Sequence, residues 1–442
     1  MGNGERSVRR PGIAAVARNG SVAIAAGLLT LGLTQYLFLV LAGHLLGDAG
    51  YAPLGVMWIL VFLLASAVLY PIEQELSRAI AARRARGEGI GPVVRRGALV
   101  AAGFSVVVLV VLGGVSAALV PRLLDGQWLL AVALMLSVAS YAIEYVVRGV
   151  LAGTGRLHRY AVLIAGEGLW RLVGAVVIAL AGVKTAGGYG LLVAAGPALG
   201  AAVSLVRSGR LLGPGPEADI REISASLGSL VTAGVLSQAL ANAAPLAVAA
   251  MLPSDEQDLA GAFLKAVVIT RIPVFLFQAL QAVMLPRLTH LATNEQHADF
   301  RTVLVRFGGL VVGIGAAGAL GVALVGDIVL RVFGSDYPLP RTDLVLLAVG
   351  NGTFLLALTA AQALVALRGQ AQTIVGWAAG LVTFFVCLAL PGKVVRVTEW
   401  GLVVASAVAT IVTLALVRRR LRSVRGDVEA LTEAIIHEAP VS

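Results

Sequence analysis

A chain of 442 residues that is 58% hydrophobic and only 13% charged is not a water-soluble domain, since soluble domains carry roughly a quarter charged residues. The apolar surplus, with a mean hydropathy of +0.91, predicts an all-α polytopic membrane protein with many spans of about 20 residues each. The net charge of +10 raises nucleic acid as a partner, which the positions of the arginines below exclude, and the lone Cys387 excludes a disulfide framework or a thiolate metal site.

The start, MGNGERSVRRPG, is basic and polar, and the apolar run after it is too long for a signal-peptide core. Residues 1–19 are therefore expected to be a retained cytoplasmic segment. Apolar runs fall at about 20–46, 53–77, 97–120, 128–150, 160–182, 189–207, 224–252, 260–288, 303–333, 342–367, 372–391 and 399–417, which predicts about 12 transmembrane helices. The first run carries Gln35 and Tyr36 near mid-depth and His44 near its outer rim. The second ends at Tyr70-Pro71, which places Glu73 and Glu75 at the interface.

The fourth run has Glu144 and Arg148 near its inner end, at the i, i+4 spacing of a helix ion pair. The fifth repeats that spacing deeper, with Glu167 and Arg171. There a structural pair and a cavity-facing role stand side by side. The seventh carries Ser237, Gln238 and Asn242. The eighth, KAVVITRIPVFLFQALQAVMLPRL, puts Lys265 close enough to the outer interface to snorkel. Arg271 lies about 16 Å in at 1.5 Å per residue. A cation facing lipid there costs at least about 2.5 kcal/mol, so Arg271 is expected to face a watery cavity or a partner. Gln278 and Gln281 share its stripe, and Pro273 loosens the helix beside it. The Gln and Asn residues serve equally well as hydrogen-bond glue between helices. The candidate cavity set is Arg271, Arg171, Lys265, Gln278, Gln281, Gln35 and Asn242, with Glu167–Arg171 and Glu144–Arg148 as charge pairs. No metal or cofactor is expected.

About 25 arginines lie in the termini and even-numbered loops, against 6 Arg or Lys in the odd-numbered loops. The positive-inside rule then puts both termini and the even loops in the cytoplasm. The +10 is mostly this topology signal plus attraction to anionic lipid. The halves also repeat: Tyr70-Pro71 answers to Leu285-Pro286 at an offset of 215, and Gly155 to Gly369 at 214. Two parallel six-helix lobes around a central cavity follow. The division is a segment 1–19, an N-lobe 20–208, a Gly/Pro-rich linker 209–223, a C-lobe 224–417 and a tail 418–442.

Four stretches carry a family likeness: AGHLLGDAGYAPLG (42–55), RGVLAGTGRLHRYA (148–161), RIPVFLFQALQAVMLPRL (271–288) and FGSDYPLP (333–340). In these the chain resembles the multidrug/oligosaccharidyl-lipid/polysaccharide (MOP) exporter superfamily, specifically its polysaccharide-biosynthesis flippase branch. The resemblance implies a two-lobed transporter of the bacterial cytoplasmic membrane that opens alternately to each side. It implies an undecaprenyl-pyrophosphate-linked oligosaccharide as cargo, and a polymerase or glycosyltransferases as pathway partners. Arg binds phosphate through a fixed fork of donors, so Arg271, with Arg171 and Lys265, would meet the pyrophosphate. The alternatives are a cation-coupled multidrug exporter, which favours deep acids in the N-lobe, and a lipid II-type flippase. A glycan polymerase is disfavoured, because the outer loops are short and hold no catalytic cluster.

Overall fold

The computed structural model describes residues 13–205, 213–219, 221–224 and 227–438. The side chains of 13–21, 221, 224, 275, 276, 278, 279, 282 and 423–438 lie outside that description, Gln278 among them. Every regular element among the described residues is helical. Nine helices are long and apolar enough to cross a membrane, or ten when a pair bent by 56° counts as one.

The first of the nine, Val22–Ala85, has 64 residues, about three times what a ~30 Å hydrocarbon layer needs. It breaks at Gly47, whose φ of 67° and ψ of −173° are open essentially to glycine alone. The arms fold back on each other, so that the rings of Phe38 and Trp58 stack with centroids 5.7 Å apart. In an unbroken helix those residues would be about 30 Å apart. The arms are α1 (13–46) and α2 (48–85). There follow α3 (Gly91–Leu123), α4 (Trp128–Gly153), α5 (Leu157–Leu180) and α6 (Ala186–Leu205). Then come the broken α7 (Leu227–Ala241 and Ala243–Met251) and the broken α8 (Gln257–Thr270 and Ile272–Thr293). The last four are α9 (His297–Val332), α10 (Arg341–Ala366), α11 (Gln370–Leu388) and α12 (Val394–Glu438).

Helices α1–α6 pack chiefly on one another, as do α7–α12, and the groups touch mainly through α1 and the start of α2 against the first half of α8. Odd-numbered loops gather at one end, where Asp48 meets Ser335 and Ala49 meets Asp258. Even-numbered loops gather at the other, where Arg84 caps the carbonyl of Thr154 and Arg83 holds those of Pro216 and Glu217. The second end is the arginine-rich one.

Two of its turns are built alike. After α4, the N–H groups of Thr154, Gly155 and Arg156 donate to the carbonyls of Val150, Ala152 and Leu151. After α10, Leu367, Arg368 and Gly369 donate to Ala363, Val365 and Leu364. Gly155 (φ 71°) and Arg368 (φ 60°) take the left-handed position that ends such helices. A distant arginine closes each turn: Arg84 on Thr154, Arg420 on Leu367. The two turns match at an offset of 213, Gly155 to Arg368, one residue from the Gly155–Gly369 pairing expected from the sequence.

The end of the second helix differs from expectation. The second helix does not stop at Tyr70-Pro71. It passes through a π-helical turn, Ala65–Leu69, and runs on to Ala85. Pro71 removes one ladder bond, and the wider turn absorbs the mismatch.

Candidate functional site

The breaks of α7 and α8 meet at Arg271. Pro245 has no N–H to offer the carbonyl four residues back, that of Ala241. The α7 helix therefore parts at Asn242, whose φ of −106° and ψ of 6° leave the helical range. In α8, Pro273 follows the break closely, with Arg271 as the joint between the two halves. Arg271 repairs what Pro245 took away: its Nη2 donates to the Ala241 carbonyl at 2.5 Å and its Nη1 to Asn242 Oδ1 at 2.9 Å. Asn242 Nδ2 donates in turn to the Gln238 carbonyl at 2.8 Å. Tyr36 of α1 reaches the break from the other group, its hydroxyl 3.4 Å from the Val268 carbonyl. Asn351 of α10 holds Thr270 at 3.1 Å.

Both acceptors of Arg271 are neutral, and no carboxylate pairs with it among the described residues. Its side chain is only partly buried. A guanidinium in a low-dielectric layer, with no counter-charge among the described residues, offers a strong field to an anion.

Lys265 does not snorkel. Its side chain is 0% exposed, and its Nζ donates to Asp48 Oδ1 at 2.8 Å, the Gly334 carbonyl at 2.7 Å and the Gly43 carbonyl at 3.3 Å. Asp48 Oδ2 accepts from Ser335 Oγ and from the N–H groups of Asp336 and Tyr337. This knot ties the arginine-poor ends of α1, α2, α8 and the α9–α10 loop together. Small residues permit the approach: a Cβ on Gly261 would stand 1.9 Å from the Asp48 carbonyl oxygen, and one on Gly43 2.2 Å from that of Phe333.

Arg171 lies inside the first group, 0% exposed and paired with Glu167. Its guanidinium stacks over the Trp58 ring at 5.0 Å, and Tyr141 donates to Glu167 at 2.8 Å. The Glu144–Arg148 pair expected near the interface is looser, at 3.5 Å. Arg148 turns instead to Glu73, with Nε 2.9 Å from Oε2 but off the axis of a hydrogen bond. Tyr160 donates to Glu73 Oε1 at 2.8 Å. Glu73 is buried, because α2 continues past Pro71 and carries it against α4. Three buried carboxylates, Glu73, Glu144 and Glu167, face two guanidiniums here, and Glu144 Oε2 has no hydrogen-bond partner among the described residues.

Gln35 and Gln281 are half-buried, and neither hydrogen-bonds to Arg271 among the described residues. His44 is exposed at the rim and bonds the Val40 carbonyl. The structure adds two acids that sequence reasoning passed over as binding groups. Asp48 was legible only as the acid within AGHLLGDAGYAPLG. Glu399 is 0% exposed with neither carboxylate oxygen hydrogen-bonded among the described residues, and it sits beside Asp343 and Arg396. A single acid in the apolar start of the twelfth run was its signal.

Comparison with known proteins places these features. The chain is 30% identical over 310 residues to the uncharacterised protein Rv1510 of Mycobacterium tuberculosis, covering 67% of this chain and 68% of the relative. It is 28% identical over 388 residues to the uncharacterised protein Mb3654 of Mycobacterium bovis, covering 84% and 86%. No protein-family model matches. Among solved structures it resembles an inward-facing multidrug resistance MATE transporter of the MOP superfamily, at a TM-score of 0.70 and 15% identity over 90% of this chain and 98% of that one. The outward-facing conformation of such a transporter matches at 0.65 and 15%, over 93% and 96%. At this identity the likeness shows a shared fold.

Proposed function

Because the chain belongs to the same family as Rv1510 of Mycobacterium tuberculosis and has the fold of MOP-superfamily transporters, we propose that it is an alternating-access exporter. In this reading α1–α6 and α7–α12 act as two lobes, joined by the linker 209–223. The arginine-rich end faces the cytoplasm of a bacterial inner membrane. The cargo is a lipid-linked oligosaccharide whose pyrophosphate meets Arg271. The observation that carries the reading is the unpaired charge of Arg271 at two helix breaks. Helix breaks expose polar backbone only where protein or a watery cavity can satisfy it. Arg171 and Lys265 fall outside this role, since Glu167 and Asp48 occupy them. To test it, the gene is deleted and complemented with the wild type, Arg271→Lys or Arg271→Ala, and lipid extracts are examined. Accumulation of an inner-leaflet lipid-linked glycan in the deletion and Arg271→Ala strains is expected. An unchanged lipid profile at normal expression would overturn the role of Arg271.

A second reading is a cation-coupled multidrug exporter, and the fold likeness to MATE transporters favours it directly. So do Glu73, Glu144 and Glu167: the first lobe holds three deep carboxylates where the sequence pointed to one. The excess of acids over arginines leaves room for an exchangeable cation such as a proton. Overexpression in a drug-sensitive host separates the readings. Resistance to cationic drugs that is lost in Glu144→Gln supports the second reading, and unchanged sensitivity supports the first.

A further inference from the structure

A groove of about 510 Å³ runs along the second group between α9, α10 and α12. Leu356 and Ala360 of α10 form its floor, and Leu304 and Val305 of α9 face Leu414 and Val417 of α12 across it. No residue of α1, α2, α7 or α8 lines it, so it is separate from the helix breaks at Arg271. Its two threonine hydroxyls are spent on the backbone: Thr359 donates to the Leu355 carbonyl and Thr410 to that of Ser406. The interior is therefore apolar. It is also open on its outer side, where Val305 of α9 is 73% exposed.

One end of the groove differs in kind. Arg301, Arg418 and Arg422 line it, with no carboxylate among the lining residues. Arg418 and Arg422 lie four apart on one face of α12, and Arg301 joins them from the first turns of α9. None of the three makes a hydrogen bond or ion pair among the described residues. Neighbouring Arg420 behaves otherwise, donating to the carbonyls of Leu367 and Arg368. The three arginines stand where the apolar run of α12 gives way to Arg418-Arg419-Arg420. That is the depth of lipid phosphates.

We propose that this groove binds one anionic phospholipid from the leaflet at the arginine-rich end. Its phosphate lies across Arg301, Arg418 and Arg422, and an acyl chain fills the slot between α9 and α12. A free phosphate would leave the apolar slot unused. A zwitterionic headgroup would bring its own cation up to three arginines. The bound lipid bridges α9 to α12 across α10 and so fills a gap in the group's packing. The assignment rests on the fold and not on which cargo is moved.

The test is native mass spectrometry of the full-length protein, extracted from bilayers of equal phosphatidylglycerol and phosphatidylcholine. One retained phosphatidylglycerol is expected, favoured over phosphatidylcholine at least tenfold. The triple variant Arg301→Gln, Arg418→Gln, Arg422→Gln should lose that adduct at least tenfold, while Arg419→Gln keeps it. Val305→Trp with Leu414→Trp fills the slot, leaves the arginines in place and should also lose the adduct. Equal retention of the two lipids, or an adduct undiminished in the triple variant, overturns the proposal. An adduct that persists in the tryptophan variant overturns it too, by showing that the arginines hold a headgroup alone. If that variant blocks export while keeping its phosphatidylglycerol, the slot serves the cargo's lipid tail and the proposal again fails.

Discussion

Lys265 has a carboxylate at 2.8 Å, and Arg271, six residues on, has only amide and carbonyl oxygens. Removing one member of a buried ion pair strands the other, at a cost of about 3–5 kcal/mol. Asp48→Ala strands Lys265 and also orphans the N–H groups of Asp336 and Tyr337, so it should approach that cost. Lys265→Met should cost less, because Asp48 keeps three donors. Thermal unfolding in detergent checks the order, and a larger loss in Lys265→Met would contradict it. For Arg271 the expectation differs. Arg271→Lys keeps the charge but not the fork that spans Ala241 and Asn242, so export should fall roughly tenfold with expression unchanged. The charge and depth of Arg271 were legible in the sequence. Its partners were not, because they exist only through a break at Pro245 on another helix. Asp48 precedes Lys265 by 217 positions, and no local spacing rule links such distant residues.

At the scale of elements, apolar runs mark the membrane-embedded core of each helix and not its ends. That is why α2 was expected to finish at Tyr70-Pro71, and why α9 and α12 extend beyond their runs. Proline positions were legible as weak points, but the outcome depends on what each helix packs against. Pro71 yields a π-helical turn, whereas Pro245 and Pro273 accompany full breaks. Pro245→Ala restores an N–H for the Ala241 carbonyl and takes an acceptor from Arg271. Export should fall while thermal stability holds or rises, and normal export would detach the α7 break from function. Arg368 occupies a left-handed position that Gly155 fills in the matching turn. Arg368→Gly should stabilise the fold by up to about 1 kcal/mol, read as a higher unfolding midpoint.

At the scale of the molecule, the two groups are closed against each other at the arginine-poor end and joined by the linker at the other. Arg83, 1% exposed, clips that linker through Pro216, Glu217 and Glu222. Its hydrogen bonds hold the Glu222 carboxyl below the usual carboxylate range. A depressed carboxylate contributes above its unfolded pKa and loses that contribution as pH falls through the folded value. The clip should therefore hold at neutral and mildly acidic pH and fail only below the ordinary glutamate range. Limited proteolysis of residues 213–219 across that range reads it directly, and cleavage already rising at pH 6 would contradict it.

The central claim is that Arg271 meets an anionic, lipid-linked cargo. The most direct measurement is binding of a polyprenyl-pyrophosphate-linked oligosaccharide to the full-length protein in nanodiscs, compared between wild type and Arg271→Gln. We expect saturable binding that weakens at least tenfold in the variant and is not displaced by a cationic drug. Equal binding by both proteins, or displacement by the drug, would contradict the account.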